Sequence, residues 1–113
     1  MAISNLLTSV DDDFLTKAKS YCKVDGNLED DIIKIFILSA RKDIIGQVGS
    51  KIDTFFDDNP IFDGAVFMKT YHSYNNRDST LNAMTFDITD GYYSMINALK
   101  DAYREEIMEM ENE

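Results

Sequence analysis

The sequence predicts an all-α protein that folds as one compact domain of four main helices joined by short connections. Of its 113 residues 44% are hydrophobic, which is enough for one core in a domain of ordinary length. Five Gly and one Pro argue against a turn-rich all-β sandwich. Apolar residues recur at intervals of three and four, which is the period of a helix.

The first helix is expected to begin after Ser9 or Asp11, because either side chain can act as an N-cap. Its apolar positions are Phe14, Leu15, Ala18 and Tyr21. It should end before Val24-Asp25-Gly26-Asn27, which has the composition of a turn.

The second helix should be the central and most buried element. Asn27 is its expected N-cap, and Glu29, Asp30 and Asp31 lie in the first turn, where the helix dipole favours acidic residues. Isoleucine-rich sequence then covers nearly the whole helix circumference, and Gly49 is expected to end it.

A short acidic connection that contains Phe55-Phe56 precedes the third helix. Asn59-Pro60 starts this helix as an N-cap followed by proline in the first turn, and the helix should end near Asn75-Asn76. A polar loop spans residues 77–88, after which Asp87 or Thr89 opens a fourth helix with an apolar stripe from Tyr92 to Ile107. The domain comprises residues 1–113, with 1–8 and 105–113 as expected flexible ends.

The charge excludes several classes of function. Twenty-one acidic residues against eleven basic residues give a net charge of −10, so the basic surface of a typical nucleic-acid binder is missing. An anionic membrane surface would repel such a chain. Residues 105–113 carry five Glu and no Lys or Arg, which we interpret as an acidic C-terminal extension. We expect neither tight DNA binding nor membrane binding.

No catalytic, cofactor-binding or metal site is predicted, and no enzyme activity is expected. The chain has one histidine, His72, so a site with several histidine ligands cannot form. Its one cysteine, Cys22, is expected in the core and fits a reducing compartment. The first residues lack the pattern of a signal peptide, which predicts a protein of the cytoplasm.

Four tyrosines on either side of the 77–88 loop form the predicted interaction site, together with Arg77. They are Tyr71, Tyr74, Tyr92 and Tyr93. Tyr and Arg are enriched in protein interfaces because each offers a large contact area and a polar group. The alternative is that two of these tyrosines only cover the core.

The order of these features resembles a known family. A first helix ends in Lys23-Val24-Asp25, and the acidic segment Asn27-Leu28-Glu29-Asp30-Asp31 starts a long Ile-rich helix. A later helix ends in Tyr71-His72-Ser73-Tyr74-Asn75-Asn76-Arg77, and the last helix contains Ser94-Met95-Ile96-Asn97-Ala98-Leu99-Lys100. Over residues 10–104 this order resembles the small all-α head–tail connector family of tailed double-stranded-DNA bacteriophages, often labelled DNA-packaging or head-completion proteins.

The resemblance implies a structural virion protein. Members of the family form a ring, generally dodecameric, under the portal protein. The ring extends the DNA channel, helps retain packaged DNA and docks a tail-completion or stopper protein. The protein would then be in the host cytoplasm during assembly and at the head–tail junction of the virion afterwards, with DNA passing through but not tightly bound.

Ring contacts join two different patches, so we expect two separate apolar or aromatic surfaces, one of them near Tyr71, Tyr74 and Tyr92. The alternative function is an acidic all-α regulator or inhibitor that mimics DNA or binds a basic partner, as the net charge alone would suggest.

Overall fold

A computed structural model describes residues 2–75 and 90–111. These residues form five α-helices and no β-strand, which confirms the all-α prediction. The helices are α1 (Ile3–Thr8), α2 (Asp12–Cys22), α3 (Asp30–Val48), α4 (Pro60–Asn75) and α5 (Asp90–Glu111). The four predicted helices correspond to α2–α5.

Helix α2 has well-defined caps at both ends. Of the two candidate N-caps, Asp11 takes the role, because its Oδ1 accepts a hydrogen bond from the Phe14 amide at 2.7 Å. The Ser9 hydroxyl instead donates to the Asn5 carbonyl of α1. At the other end Lys23 adopts a left-handed conformation with φ of 59°, and the Val24 amide donates to the Lys19 carbonyl at 2.9 Å.

Helix α3 starts later than the sequence suggests. Asn27 is not its N-cap, because the Asn27 Oδ1 accepts from the Lys19 Nζ of α2. Glu29 occupies the cap position, and its side chain does not accept a hydrogen bond from the first-turn amides. Lys19 also forms an ion pair with Asp30 at 2.8 Å, so this lysine ties the two helices together at the turn. Gly49 ends the helix as predicted.

The prediction that α3 is the central helix is confirmed, since it contacts each of the other four helices. Its core face is almost completely buried and consists of Ile33, Ile37, Ala40 and Ile44. The apolar residues around its circumference are not all buried, however, because Ile35 is 61% exposed. Ile35 lies two residues from Ile33, which is about 200° around the helix and therefore points away from the core.

Helices α4 and α5 pack antiparallel. The Asn59 Oδ1 accepts from the amides of Ile61 and Phe62, which confirms the predicted N-cap of α4. Gly64 lies close to Met95, and the Lys69 Nζ lies 5.6 Å from the centre of the Tyr92 ring. The predicted 77–88 loop, and the start of the last helix at Asp87 or Thr89, lie outside the described residues.

Both chain ends contain more helix than expected. Residues 3–8 form α1, whose Leu6 is buried in the core, where the sequence analysis expected a flexible end. Helix α5 continues to Glu111 through the segment expected to be flexible, in keeping with the high helix propensity of Glu and Met. Among the described helices, none is both long enough and apolar enough to cross a membrane.

Candidate protein interface

The first candidate surface is a stack of aromatic rings where α2 and α4 meet. The Tyr21 ring lies 6.0 Å from Phe67 and meets Tyr71 edge-on at 5.6 Å. Both tyrosines remain exposed, Tyr21 by 44% and Tyr71 by 40%. We call Tyr21, Phe67 and Tyr71 the aromatic surface. Its rings hold one another in place, so a partner would find a preordered contact face.

The predicted tyrosine cluster is divided between the surface and the core. Tyr92 is only 2% exposed and belongs to the core, so its ring offers no surface to a partner and this assignment needs correction. Tyr93 is 51% exposed and packs edge-on against Tyr92, whereas Tyr74 is partly buried against the core. Arg77 lies outside the described residues. The interface roles of Tyr71, Tyr74, Tyr93 and Arg77 stay predictions.

Tyr92 is buried because an ion pair from two neighbouring helices lies over its ring. The Lys69 ammonium bonds to the Asp43 carboxylate at 2.6 Å and also faces the Tyr92 ring. Burial lowers the pKa of Lys69, but the hydrogen bond to Asp43 and the neighbouring Tyr92 outweigh it, so the pKa is raised. Burial raises the pKa of Tyr92. This tyrosine therefore joins α3, α4 and α5 as an uncharged core residue.

Other exposed apolar residues lie at the same end of the α2–α3 hairpin as Tyr21. Leu28, in the turn, is fully exposed, and Ile32 and Ile35 follow on the outer side of α3. Single exposed apolar side chains are common on protein surfaces. Three of them within eight residues of the chain form a concentration that is typical of an interaction site.

The second candidate surface is a groove between the end of α3 and the second half of α5. Its volume is about 470 Å³, which is within the usual range for a binding site of about 300–1,000 Å³. Apolar side chains line it, and three basic residues stand around it. The apolar residues are Val48, Ile107 and Met108, and the basic ones are Lys51, Lys100 and Arg104. We call this the α3–α5 groove.

The two surfaces belong to different parts of the domain. The aromatic surface forms where α2 and α4 meet, whereas the α3–α5 groove forms between the end of α3 and the second half of α5. They share no residue, so each could contact a different partner.

A small acidic cavity beside α1 has a structural role. Arg41 is 4% exposed, and its Nη1 donates to the carbonyls of Leu6 and Ser9 at 3.2 and 2.9 Å. Its guanidinium also stacks over Phe14 at 4.4 Å. Burial lowers the pKa of Arg41 and raises that of Asp63, which shares the cavity. Arg41 thus binds the open carbonyl end of α1 and holds it on α3.

Groups that could perform chemistry are sparse in the described part of the chain. Cys22 is buried, as predicted, and burial raises the pKa of its thiol, which disfavours the reactive thiolate. Within residues 2–75 and 90–111, no three His, Cys, Asp or Glu side chains are placed to share a metal ion.

Sequence reasoning missed the groove and two of the three residues of the aromatic surface, Tyr21 and Phe67. Tyr21 was assigned to the apolar stripe of α2, but the buried face of this helix is formed by Leu15, Ala18 and Cys22, and Tyr21 is 44% exposed. Ile35 could have been found from its register, since it lies opposite the run Ile33, Ile37, Ala40 and Ile44. The groove joins residues about fifty positions apart, so no local pattern indicates it.

Comparisons of this chain with protein-family models, with curated proteins and with solved structures found no match, and its function is therefore argued from its own residues.

Proposed function

We propose that this protein is a structural assembly protein, a head–tail connector of a tailed double-stranded-DNA bacteriophage. In this role copies of the chain form a ring under the portal protein, extend the DNA channel and dock a tail-completion or stopper protein. The order and spacing of the segments between residues 10 and 104 support the family assignment.

The observation that carries the proposal is the presence of two separate surfaces with exposed apolar side chains, one where α2 meets α4 and one where α3 meets α5. A connector contacts neighbouring copies and two other proteins, so its subunit needs several separate contact faces. The aromatic surface and the α3–α5 groove, which share no residue, supply two of them.

The acidic surface agrees with a channel that lets DNA pass. With a net charge of −10, a ring of these subunits would repel phosphate more than it would bind it. The same charge favours the second candidate function, an acidic regulator that mimics DNA or binds a basic protein. That function requires a monomer or dimer with a basic partner.

Co-expression with the portal protein encoded in the same genome separates the two functions. We expect a complex of defined mass with a ring of this chain on the portal, measured by native mass spectrometry. The variant Tyr71→Lys places a charge in the aromatic surface and should weaken the complex by about tenfold or more. Thr16→Lys, a change at an exposed position of α2 outside the aromatic surface, is the control and should leave the complex intact.

A genome without portal or capsid genes near this gene, or a chain that binds basic proteins but never the portal, would contradict the connector proposal and favour the regulator.

A further inference from the structure

The three basic residues around the α3–α5 groove are a local exception on an acidic protein. Lys51, just after α3, and Lys100 and Arg104, within α5, converge there, although the whole chain carries nearly twice as many acids as bases. Arg104 has only a long, exposed contact of 3.9 Å with Asp101. Among the described residues, Lys51 and Lys100 have no ion-pair partner. The groove is therefore suited to an acidic occupant with apolar side chains.

A segment with these properties is the last part of α5 itself. Beyond Tyr103, which is 9% exposed and ends the core contact, the helix carries the exposed glutamates Glu105, Glu106, Glu109 and Glu111. Met108 and Met110 are also more than half exposed. The segment thus combines four acidic groups with flexible apolar side chains, and it extends beyond the body of the domain.

A chain cannot place Glu105 or Glu109 in its own groove. The groove is lined by the face of α5 that carries Lys100 and Ile107. Glu109 lies nine residues from Lys100, which is about 180° around the helix, and Glu105 lies two residues from Ile107, about 200° around. The acidic face of α5 therefore points away from the groove formed by the same helix.

We propose that the groove receives the acidic face of α5 from a second copy of this chain, with Glu105 and Glu109 opposite Lys51, Lys100 and Arg104. This inference rests on the proposed function, for which it names the contact between neighbouring subunits.

The placement of the two faces determines the kind of assembly. When one copy seats its acidic face in the groove of a neighbour, its own groove opens on the far side of its α5. The neighbour cannot place its own acidic face in that groove, because the groove is on the side of α5 that faces away from it. A third copy must therefore fill the open groove. Such a contact is head-to-tail and produces a closed ring or a filament rather than a two-fold dimer.

Charge reversal on each face tests this contact. Variant X carries Lys51→Glu and Lys100→Glu, so that its groove and its α5 face are both acidic. Variant Y carries Glu105→Lys and Glu109→Lys, so that both are basic. Each variant alone should associate about tenfold or more weakly than the natural chain in sedimentation velocity at low ionic strength.

An equal mixture of X and Y should recover the association, because each groove then meets a face of opposite charge. The assemblies should contain equal amounts of both chains. The control carries Lys17→Glu and Lys42→Glu, two exposed positions outside the groove with the same change of net charge as X. The control should associate like the natural chain, and mixing it with X should not restore the association of X. Circular dichroism of each variant verifies that the helices are intact.

Two results would overturn the inference. One is a natural chain that stays monomeric at about 1 mM, a concentration at which even weak contacts are populated. The other is X and Y assembling as well alone as together. If X and Y behave as expected but the chain never binds a portal protein, the contact stands and the connector function fails. If portal-bound rings form regardless of the charge reversals, the connector function stands and this contact fails.

Discussion

Single residues decide how closely α3 and α5 approach each other. Gly49 has φ of 137°, and a Cβ atom on it would lie 2.6 Å from the ring of Tyr103. The Tyr103 hydroxyl accepts a hydrogen bond from the Lys51 amide at 2.8 Å, so the ring cannot retreat without losing that bond. Glycine at this position therefore permits both the backbone turn and the seating of α5.

We expect Gly49→Ala to lower the free energy of unfolding by about 2–4 kcal/mol, through backbone strain and the clash with Tyr103. Gly46→Ala is the control, because its Cβ would meet nothing within 4 Å and alanine favours the helix. It should stabilise the protein by about 0.5–1 kcal/mol. Urea denaturation measures both, and equal effects would show that Tyr103 does not restrict position 49.

Asp63 should make stability depend on pH. Burial raises the pKa of this carboxyl, with attraction to Arg41 opposing the shift in part. Because the folded state then binds the proton more tightly, the stabilisation is present below the ordinary pKa of about 3.9. It is lost as pH rises through the raised pKa of the folded state.

The variant Asp63→Asn resembles the protonated carboxyl at every pH. We expect it to be more stable than the natural chain at pH 7, with the difference disappearing on acidification to about pH 3. Asp25→Asn, in an exposed turn, should show no such dependence. A loss of stability in Asp63→Asn at pH 7 would mean that the attraction to Arg41 outweighs burial.

Among whole elements, α1 depends most on one side chain. It is a six-residue helix, too short to be stable alone, and among the helices it packs only against α3. The Arg41 guanidinium supplies hydrogen bonds to two of its C-terminal carbonyls, and Leu6 supplies its buried apolar contact.

We expect Arg41→Met to release α1 and to cost about 2–3 kcal/mol, since two carbonyls lose a charged donor. Hydrogen exchange should accelerate in the amides of α1 and remain slow in α5, which α1 does not contact. Exchange that accelerates equally in both helices would show instead that Arg41 supports the whole core.

For the whole molecule, the distribution of basic residues determines whether it binds DNA. In the described part of the chain, Arg41 is buried, and Lys17, Lys19 and Lys69 are engaged with aspartates. The largest group of basic side chains is the one around the α3–α5 groove, and four exposed glutamates follow it on α5.

We therefore expect the isolated chain not to bind duplex DNA, because affinity arises mainly from basic residues that displace counterions from phosphate. Titration of labelled duplex at low and at physiological salt measures this. Micromolar binding that survives physiological salt would contradict the proposal that DNA passes through the channel without being bound. It would also contradict the assignment of the groove to an acidic protein segment.

The sequence by itself determined the helical class, the four main helices and most of their ends. These features depend on local physics: a helix period of 3.6, the Asp11 and Asn59 caps and the Gly49 stop all act within a few residues. The N-cap of α3 escaped prediction because the side chain of Asn27 binds Lys19 of the preceding helix instead. Helix α1 escaped it because its stability depends on Arg41, more than thirty residues away.

The candidate surfaces were decided almost entirely by tertiary structure. A tyrosine contributes to an interface or to the core according to what packs over its ring, and the sequence does not show this for Tyr71 and Tyr92. Tyr92 is buried because Lys69 and its partner Asp43 cover it from two other helices, whereas Tyr71 meets the Tyr21 ring edge-on and stays 40% exposed. The groove likewise exists only because Tyr103 seats α5 against Gly49, which brings Lys51 and Lys100 to the same cleft. Helix formation is local, but surfaces depend on contacts between residues distant in the chain.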